Sequence, residues 1–274
     1  MHRRSIGFIG AGRAGGSIAL ASLRAGHEIT AVVAGPSGRI PEALEAWRAG
    51  PGYLPPSDLI VLAVRDDALS AVAEAVAPWL DGTPIVCHLS GMTDLGVLDP
   101  LTDIGCAAGS FHPIQSLPDP DTGAGLLTGS YVAITADDAP YGELADWAQS
   151  LGMHPVRLAE HNKPAHHSAA SAASNFVVAA LAVTAELAAG SGVPLDAYAR
   201  LTRTSVENAY GLGPLAALTG PVVRGDAQTV ARQLEAAAAI SSELGASYAA
   251  LVEATARAAG RWPEFGDLVA EVRS

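Results

Sequence analysis

Three glycines near the start of the chain constrain its fold more than any other feature. The segment Ser5-Ile6-Gly7-Phe8-Ile9 is a short apolar run that reads as a buried strand. It passes directly into Gly10-Ala11-Gly12-Arg13-Ala14-Gly15, and an Ala/Leu-rich helical segment comes next. Strand, glycine turn and helix in that order are what a dinucleotide pyrophosphate needs. Gly10 permits the tight turn, Gly12 leaves the backbone open to phosphate, and Gly15 lets the helix pack close to the strand. The helix N-terminus adds free N–H groups and the positive end of its dipole. The plain alternative is an ordinary strand-to-helix turn, and the setting favours dinucleotide binding.

The segments beyond the turn support dinucleotide binding. From Ser5 to about Leu158 strand-like and helix-like segments alternate, the signature of a parallel sheet covered on both faces. After Glu160 strand patterning stops and the sequence becomes Ala/Leu-rich with helical spacing. The expected fold is an α/β N-terminal domain, a doubly wound parallel sheet over residues 1–160. An all-α domain over residues 161–274 succeeds it. The second strand ends at Ala34-Gly35-Pro36-Ser37-Gly38-Arg39, where an acid would select NAD by bonding the ribose hydroxyls. No acid stands there. Ser37 and Arg39 suit a 2′-phosphate instead, so the expected cofactor is NADP; the alternative is that Arg39 is a solvated loop residue.

Ligands of open α/β sheets sit beyond the carboxyl ends of the strands. The run Asp58–Val64 reads as a central strand, and Val64 joins the cofactor-binding positions Gly10, Ala11, Gly12, Arg13, Ala14, Gly15, Ser37, Arg39 and Ser90. The strand ending at His88 leads to Ser90, and the one ending at Phe111 leads to His112-Pro113-Ile114-Gln115. Ser90, His112 and Gln115 are thereby placed to meet nicotinamide or substrate. For His112 the alternative is a ring held by backbone bonds in a Pro-containing turn.

Composition narrows the partners. With 274 residues, 49% hydrophobic and 16% charged, the chain has the length for about two globular domains. A net charge of −12 argues against nucleic acid or an anionic membrane surface as partner. An anionic small substrate remains compatible with a locally basic site. Cys87 and Cys106 lack CxxC spacing and read as buried free thiols in a reducing compartment. No metal site is expected. The N-terminus lacks the pattern of a signal peptide, and no uninterrupted apolar run reaches membrane-spanning length. The expected location is the cytoplasm.

The helical part opens with a polar stripe. Lys163, His167, Ser171 and Asn175 are four residues apart and would share one helix face among alanines. Buried polar side chains are costly unless paired or ligand-bound. A site is therefore favoured over an interhelical hydrogen-bond network or a solvent-facing stripe. Downstream, Thr219-Gly220-Pro221-Val222-Val223-Arg224-Gly225-Asp226 makes a shaped polar loop. Arg224 suits a substrate carboxylate, or it pairs structurally with Asp226.

The chain resembles a family on the segments GAGRAG, DLIVLAVRDDAL, HLSG, FHPIQSL, the helix His167…Ser174-Asn175-Phe176, and LTGPVVRGD, which span Gly10 to Asp226. Its plan is similar to the 6-phosphogluconate dehydrogenase, pyrroline-carboxylate reductase and ketopantoate reductase superfamily. More closely it resembles Rossmann-like proteins with a helical C-terminal domain of formerly unknown function. The resemblance implies NADP-dependent reduction of a small oxo acid, with 2-dehydropantoate the best candidate. An imino acid or β-hydroxy acid is the alternative within the superfamily, and a non-catalytic NADP-binding regulatory protein the alternative outside it. It also implies a homodimer, which wide Ala-rich helix faces such as residues 234–259 support. In this superfamily a Lys, often followed by His or Asn on the same helix, serves catalysis. Lys163, His167 and Asn175 are the expected catalytic set, with Ser90, His112, Gln115, Ser171 and Arg224 holding substrate. His166 stands where the close family usually has Tyr.

Overall fold

The computed structural model describes residues 3–35 and 38–273. The chain divides into two compact units, Met1–Ser171 and Ala172–Ser274.

In the first unit, β1 (Ser5–Ile9) is followed by α1 (Arg13–Arg24), β2 (Glu28–Val33), β3 (Arg48–Ala49), β4 (Leu59–Leu62), α2 (Leu69–Val76) and β5 (Ile85–His88). Then come α3 (Asp99–Thr102), β6 (Ala107–Pro113), α4 (Pro120–Leu126), β7 (Tyr131–Ala136), α5 (Asp138–Ser150), β8 (His154–Arg157) and α6 (Lys163–Ala173), whose last two residues fall beyond Ser171. The strands form one sheet in the order β3-β2-β1-β4-β5-β6-β7-β8. Strand β1 pairs in parallel with both β2 and β4, so the strand order reverses direction at β1. In such sheets the ligand crevice opens at that switch point. The central strands are apolar on both faces because helices cover both. Ile6, Phe8, Val61 and Cys87 belong to one core, Ile60, Leu62 and Val86 to the other. Phe111 stacks on Trp147 with ring centroids 4.4 Å apart, and both are fully enclosed.

The sheet is the expected doubly wound, parallel one with a single antiparallel pair: β7 runs antiparallel to β6. A parallel return needs a crossover long enough to lay a helix over the sheet. The link from Pro113 to Tyr131 carries only the short α4, which lies on α1 instead. A Cβ on Gly16 would come within 2.9 Å of Pro120, and Ser17 Oγ donates to Asp119 O at 3.3 Å. Without that crossover β7 enters from the opposite end.

The second unit holds α7 (Asn175–Ser191), α8 (Ala199–Leu212), α9 (Pro214–Ala217), α10 (Pro221–Arg224), α11 (Ala227–Ile240), α12 (Ser242–Ala258) and α13 (Trp262–Arg273), with no strand among the described residues. Its core is Val222, Val230, Leu234, Ala249, Val252, Ala256, Phe265 and Val269, all from α10 to α13. In contrast α7 buries only Ala188 and α8 buries nothing. Phe176 and Val178 of α7 are 66% and 65% exposed, and Leu201 and Tyr210 of α8 are 65% and 84% exposed. The sequence has no uninterrupted apolar run of spanning length. Yet the 32 residues Glu160–Ser191 contain an 18-residue window with a mean hydropathy of 1.6, of which 6% is buried, so by length and composition alone the stretch meets the measure of a membrane span. Ser and Thr within it are mild enough, and its interior charges sparse enough, to leave the average high.

Candidate active site

The glycine turn has the geometry a pyrophosphate requires. Gly10 has φ +102°, and a Cβ there would sit 2.3 Å from Ala63 O at the end of β4. A side chain is thus excluded by conformation and by space alike. Gly15 packs the helix on the strand: its Cβ would meet Gly10 O at 2.4 Å and Ala63 Cβ at 2.6 Å. Gly12 faces open space, with nothing within 4 Å of an added Cβ. It is the N-cap of α1, makes no side-chain cap bond, and no acid lies in the first turn. The first N–H groups of α1 are left for an anion from outside, which fits a dinucleotide phosphate. Ala11 is buried, Ala14 and Val64 are half-buried, and Arg13 is exposed beside this opening. Arg39 is exposed in the loop after β2, while Ser37 lies outside the described residues.

A polar cluster gathers beyond the carboxyl ends of β4, β5 and β6 in the same unit. Ser90 N donates to His88 Nδ1 at 3.1 Å, which fixes the His88 proton on Nε2 when the ring is neutral. Ser90 Oγ donates to Asp66 Oδ2 at 2.6 Å, stands 2.9 Å from Thr93 Oγ1, and accepts from the N–H groups of Met92 and Thr93. The turn so tied presents its Thr93 carbonyl to α6, where Lys163 Nζ donates to it at 2.6 Å. Lys163 is fully buried. From the end of β6, the His112 ring lies flat over Gly91, where a Cβ would come within 2.6 Å of His112 Cε1. His112 Nδ1 and His166 Nε2 are 3.0 Å apart, with the rings edge to face. The His167 ring is 5.8 Å from that of His112, and His167 Nδ1 is buried with no hydrogen-bond partner among the described residues.

Burial dominates the electrostatics. It is the chief cause that lowers His88 to about 3; the Lys163 charge adds to it, and Asp66 opposes it. Burial, then the neighbouring His166, His167 and Lys163, lower His112 to about 4. His166 is lowered by burial and then by His167 and Lys163. Burial also lowers Lys163 from the usual lysine range, against the pull of Glu160, Asp94 and Asp66. Desolvation disfavours each cation, and crowding four of them makes that worse. The cluster therefore holds mostly neutral imidazoles around one ammonium. Of these shifts only that of Lys163 moves a group toward neutral pH; those of the imidazoles carry them below it and keep them uncharged there.

The structure joins some of the expected residues and separates others. Lys163, His167 and His112 come together. Ser90 is beside them, but its hydroxyl is taken up by Asp66 and by its own turn. Gln115 is exposed; its side chain donates to Leu126 O at 3.3 Å and accepts from Ser116 N at 2.8 Å. The single helical stripe is broken, because Ser174 has φ −120° and ψ −73° and separates α6 from α7. Lys163, His167 and Ser171 lie in the first unit, with Ser171 its last residue, whereas Asn175 begins α7 in the second. Arg224 is at the exposed end of α10, and Asp226 caps α11 through Thr229 N at 3.1 Å. Asp66, His88, Thr93 and His166 are members that sequence reasoning missed. The His166-His167 doublet was a visible signal for one of them. Nothing local marked Thr93, which acts through its carbonyl. Among the described residues no group of three or more His, Cys, Asp or Glu could hold a metal ion.

Residues 1–113 match a family described as a Rossmann-like domain, and residues 130–255 match one described as a domain of unknown function (DUF2520). That pair of domains is the plan the resemblance implied. No curated protein matches the sequence. Among solved structures, a Bacteroides fragilis protein described as a candidate NADP oxidoreductase has a TM-score of 0.80 at 20% identity, covering 93% of this chain and 98% of its own. Plasmodium falciparum pyrroline carboxylate reductase with NADP bound gives 0.61 at 16% identity, covering 100% of both chains. A Streptomyces aurantiacus imine reductase gives 0.60 at 15% identity, covering 98% of this chain and 99% of its own. At these identities the likeness is one of fold.

Proposed function

We propose that this chain, which joins a Rossmann-like domain to a helical domain of the DUF2520 family, is an NADP-dependent reductase of a small oxo or imino acid. The observation that carries the reading is one sheet edge with two features. It has an uncapped glycine-turn helix, open to phosphate at Gly12, and a buried Lys163 among His88, His112, His166 and His167. Pyrroline carboxylate reductase and imine reductase among the structural neighbours favour a C=N acceptor. The oxo acid 2-dehydropantoate is the C=O alternative.

NADPH, when bound, supplies the hydride. The chain's own task is then to hold the acceptor, stabilise charge that builds on its oxygen or nitrogen, and supply a proton there. The Gly10–Gly15 turn holds the pyrophosphate, and Arg39 and Ser37 favour the 2′-phosphate. Lys163 contributes positive charge in a water-poor setting, where it acts more strongly than at a surface. His167 offers a free ring nitrogen. Asn175, Ser171, Gln115 and Arg224 remain candidates for orienting substrate, with Arg224 suited to a carboxylate. We further propose a cytoplasmic homodimer in which a second copy covers the exposed apolar faces of α7 and α8.

Two measurements test the reading. Titration calorimetry should give tighter binding of NADPH than of NADH. NADPH oxidation should follow addition of 1-pyrroline-5-carboxylate or 2-dehydropantoate. Lys163→Ala and His167→Ala should each lower kcat by about 10²-fold, with Asn175→Ala milder, and cofactor affinity should hold. NADPH binding with no turnover of either compound would support the regulatory alternative.

A further inference from the structure

We propose that His112 and His166 form a two-imidazole relay, in which partly exposed His166 takes a proton from solvent and His112 Nε2 delivers one to the substrate oxygen or nitrogen. The inference rests on the reductase reading above and assigns its proton source. Three observations place it. His112 Nδ1 and His166 Nε2 are 3.0 Å apart, a bonding distance for a ring N–H donating to a ring nitrogen. The rings are edge to face, with centroids 5.2 Å apart, so the shared nitrogens point at one another. Gly91 lies under the His112 ring so closely that only glycine fits, which fixes the inner ring at the end of β6.

The chain of bonds balances with both rings neutral. His166 Nε2–H donates to His112 Nδ1, which leaves the His112 proton on Nε2. Hydride addition to the acceptor carbon breaks the C=O or C=N π bond and sends its electron pair to oxygen or nitrogen. That atom takes the proton from His112 Nε2, so one N–H bond breaks and one O–H or N–H bond forms. His112 Nδ1 takes the His166 proton in the same passage, and His166 Nδ1 takes one from water. NADPH is oxidised, the acceptor is reduced, and the two rings exchange tautomers, which solvent restores between turnovers. No imidazolium needs to form. This matters because Lys163, His167 and His88 lie beside the pair and disfavour added positive charge, and Asp66 opposes them at His112. His112 is the catalytic member. His166 acts through it and is a positioning residue.

The test uses the full-length protein. His166→Gln keeps an amide able to donate to His112 Nδ1 but cannot pass a proton on, while His166→Ala opens a space for a small base. With 1-pyrroline-5-carboxylate or 2-dehydropantoate as probe, both variants should lose about 10²-fold in kcat, and added imidazole should restore much of the loss in His166→Ala. Independently of turnover, the His112 ring proton signal in NMR should titrate at higher pH in His166→Gln than in wild type, because a like-charge neighbour has gone. Two results would overturn the relay alone: an active wild type whose variants keep its rate, or a loss that imidazole does not restore together with an unmoved His112 titration. A wild type that binds NADPH but turns over neither probe would defeat the reductase reading, and the relay with it.

Discussion

Lowering the pH should destabilise this protein well before its carboxylates titrate, and His88 sets the size of the effect. The ring is fully enclosed, and burial is the main cause that lowers it from 6.5 to about 3. The folded chain therefore keeps it neutral while the unfolded chain protonates it. A depressed folded-state value means the unfolded state binds more protons. The contribution is complete above about 6.5 and is lost as pH falls toward about 3. Between pH 6 and pH 5 an unfolded histidine goes from about three-quarters to almost fully protonated, so His88 alone costs about 1.2 kcal/mol over that unit. His112, lowered to about 4 and partly exposed, adds somewhat less, for a total of roughly 2 kcal/mol. His27, lowered by burial and then by Arg4, acts in the same direction. Urea titrations of wild type and His88→Asn at the two pH values make the comparison. Asn can still accept from Ser90 N, so the fold is expected to survive. The variant should lose about 1 kcal/mol less than wild type over that pH unit. Equal losses in the two proteins would show that His88 is not held neutral and would refute the argument.

The same geometry sets three other outcomes. Gly91→Ala should displace the His112 ring, cost about 1–3 kcal/mol in urea unfolding, and remove the coupling between the His112 and His166 titrations; a variant with unchanged stability would contradict the contact. Arg39→Ala should weaken NADPH about tenfold or more in calorimetry and leave NADH unchanged, since one charge-assisted phosphate contact is worth about 1.5–3 kcal/mol; equal effects on the two cofactors would remove Arg39 from the 2′-phosphate site. Val178→Glu with Leu201→Glu should convert a dimer to a monomer in sedimentation at micromolar concentration, because both side chains are about two-thirds exposed on apolar faces. A wild type that sediments as a monomer would refute the dimer.

The sequence alone determined the parts of this protein that depend on local chemistry. Gly10, Gly12 and Gly15 stand between an apolar strand and a helix, and each has the role its missing side chain suggested: tight turn, open face, close packing. The alternation up to Leu158 and its loss afterwards gave the change from sheet to helices, because strand and helix periods are written residue by residue. Tertiary structure decided the rest. The antiparallel entry of β7 depended on α4 packing on α1, a contact between elements far apart in the chain. The stripe Lys163, His167, Ser171, Asn175 assumed one unbroken helix, and a single non-helical residue, Ser174, ended it. Lys163 was legible as important, but its partner is a carbonyl, which every residue carries and no sequence marks. His112 and His166, 54 positions apart, meet only because α6 begins where β6 ends. Periodicity reports which way a side chain faces on its own element. Which two rings share a hydrogen bond is fixed only when packing brings those elements together.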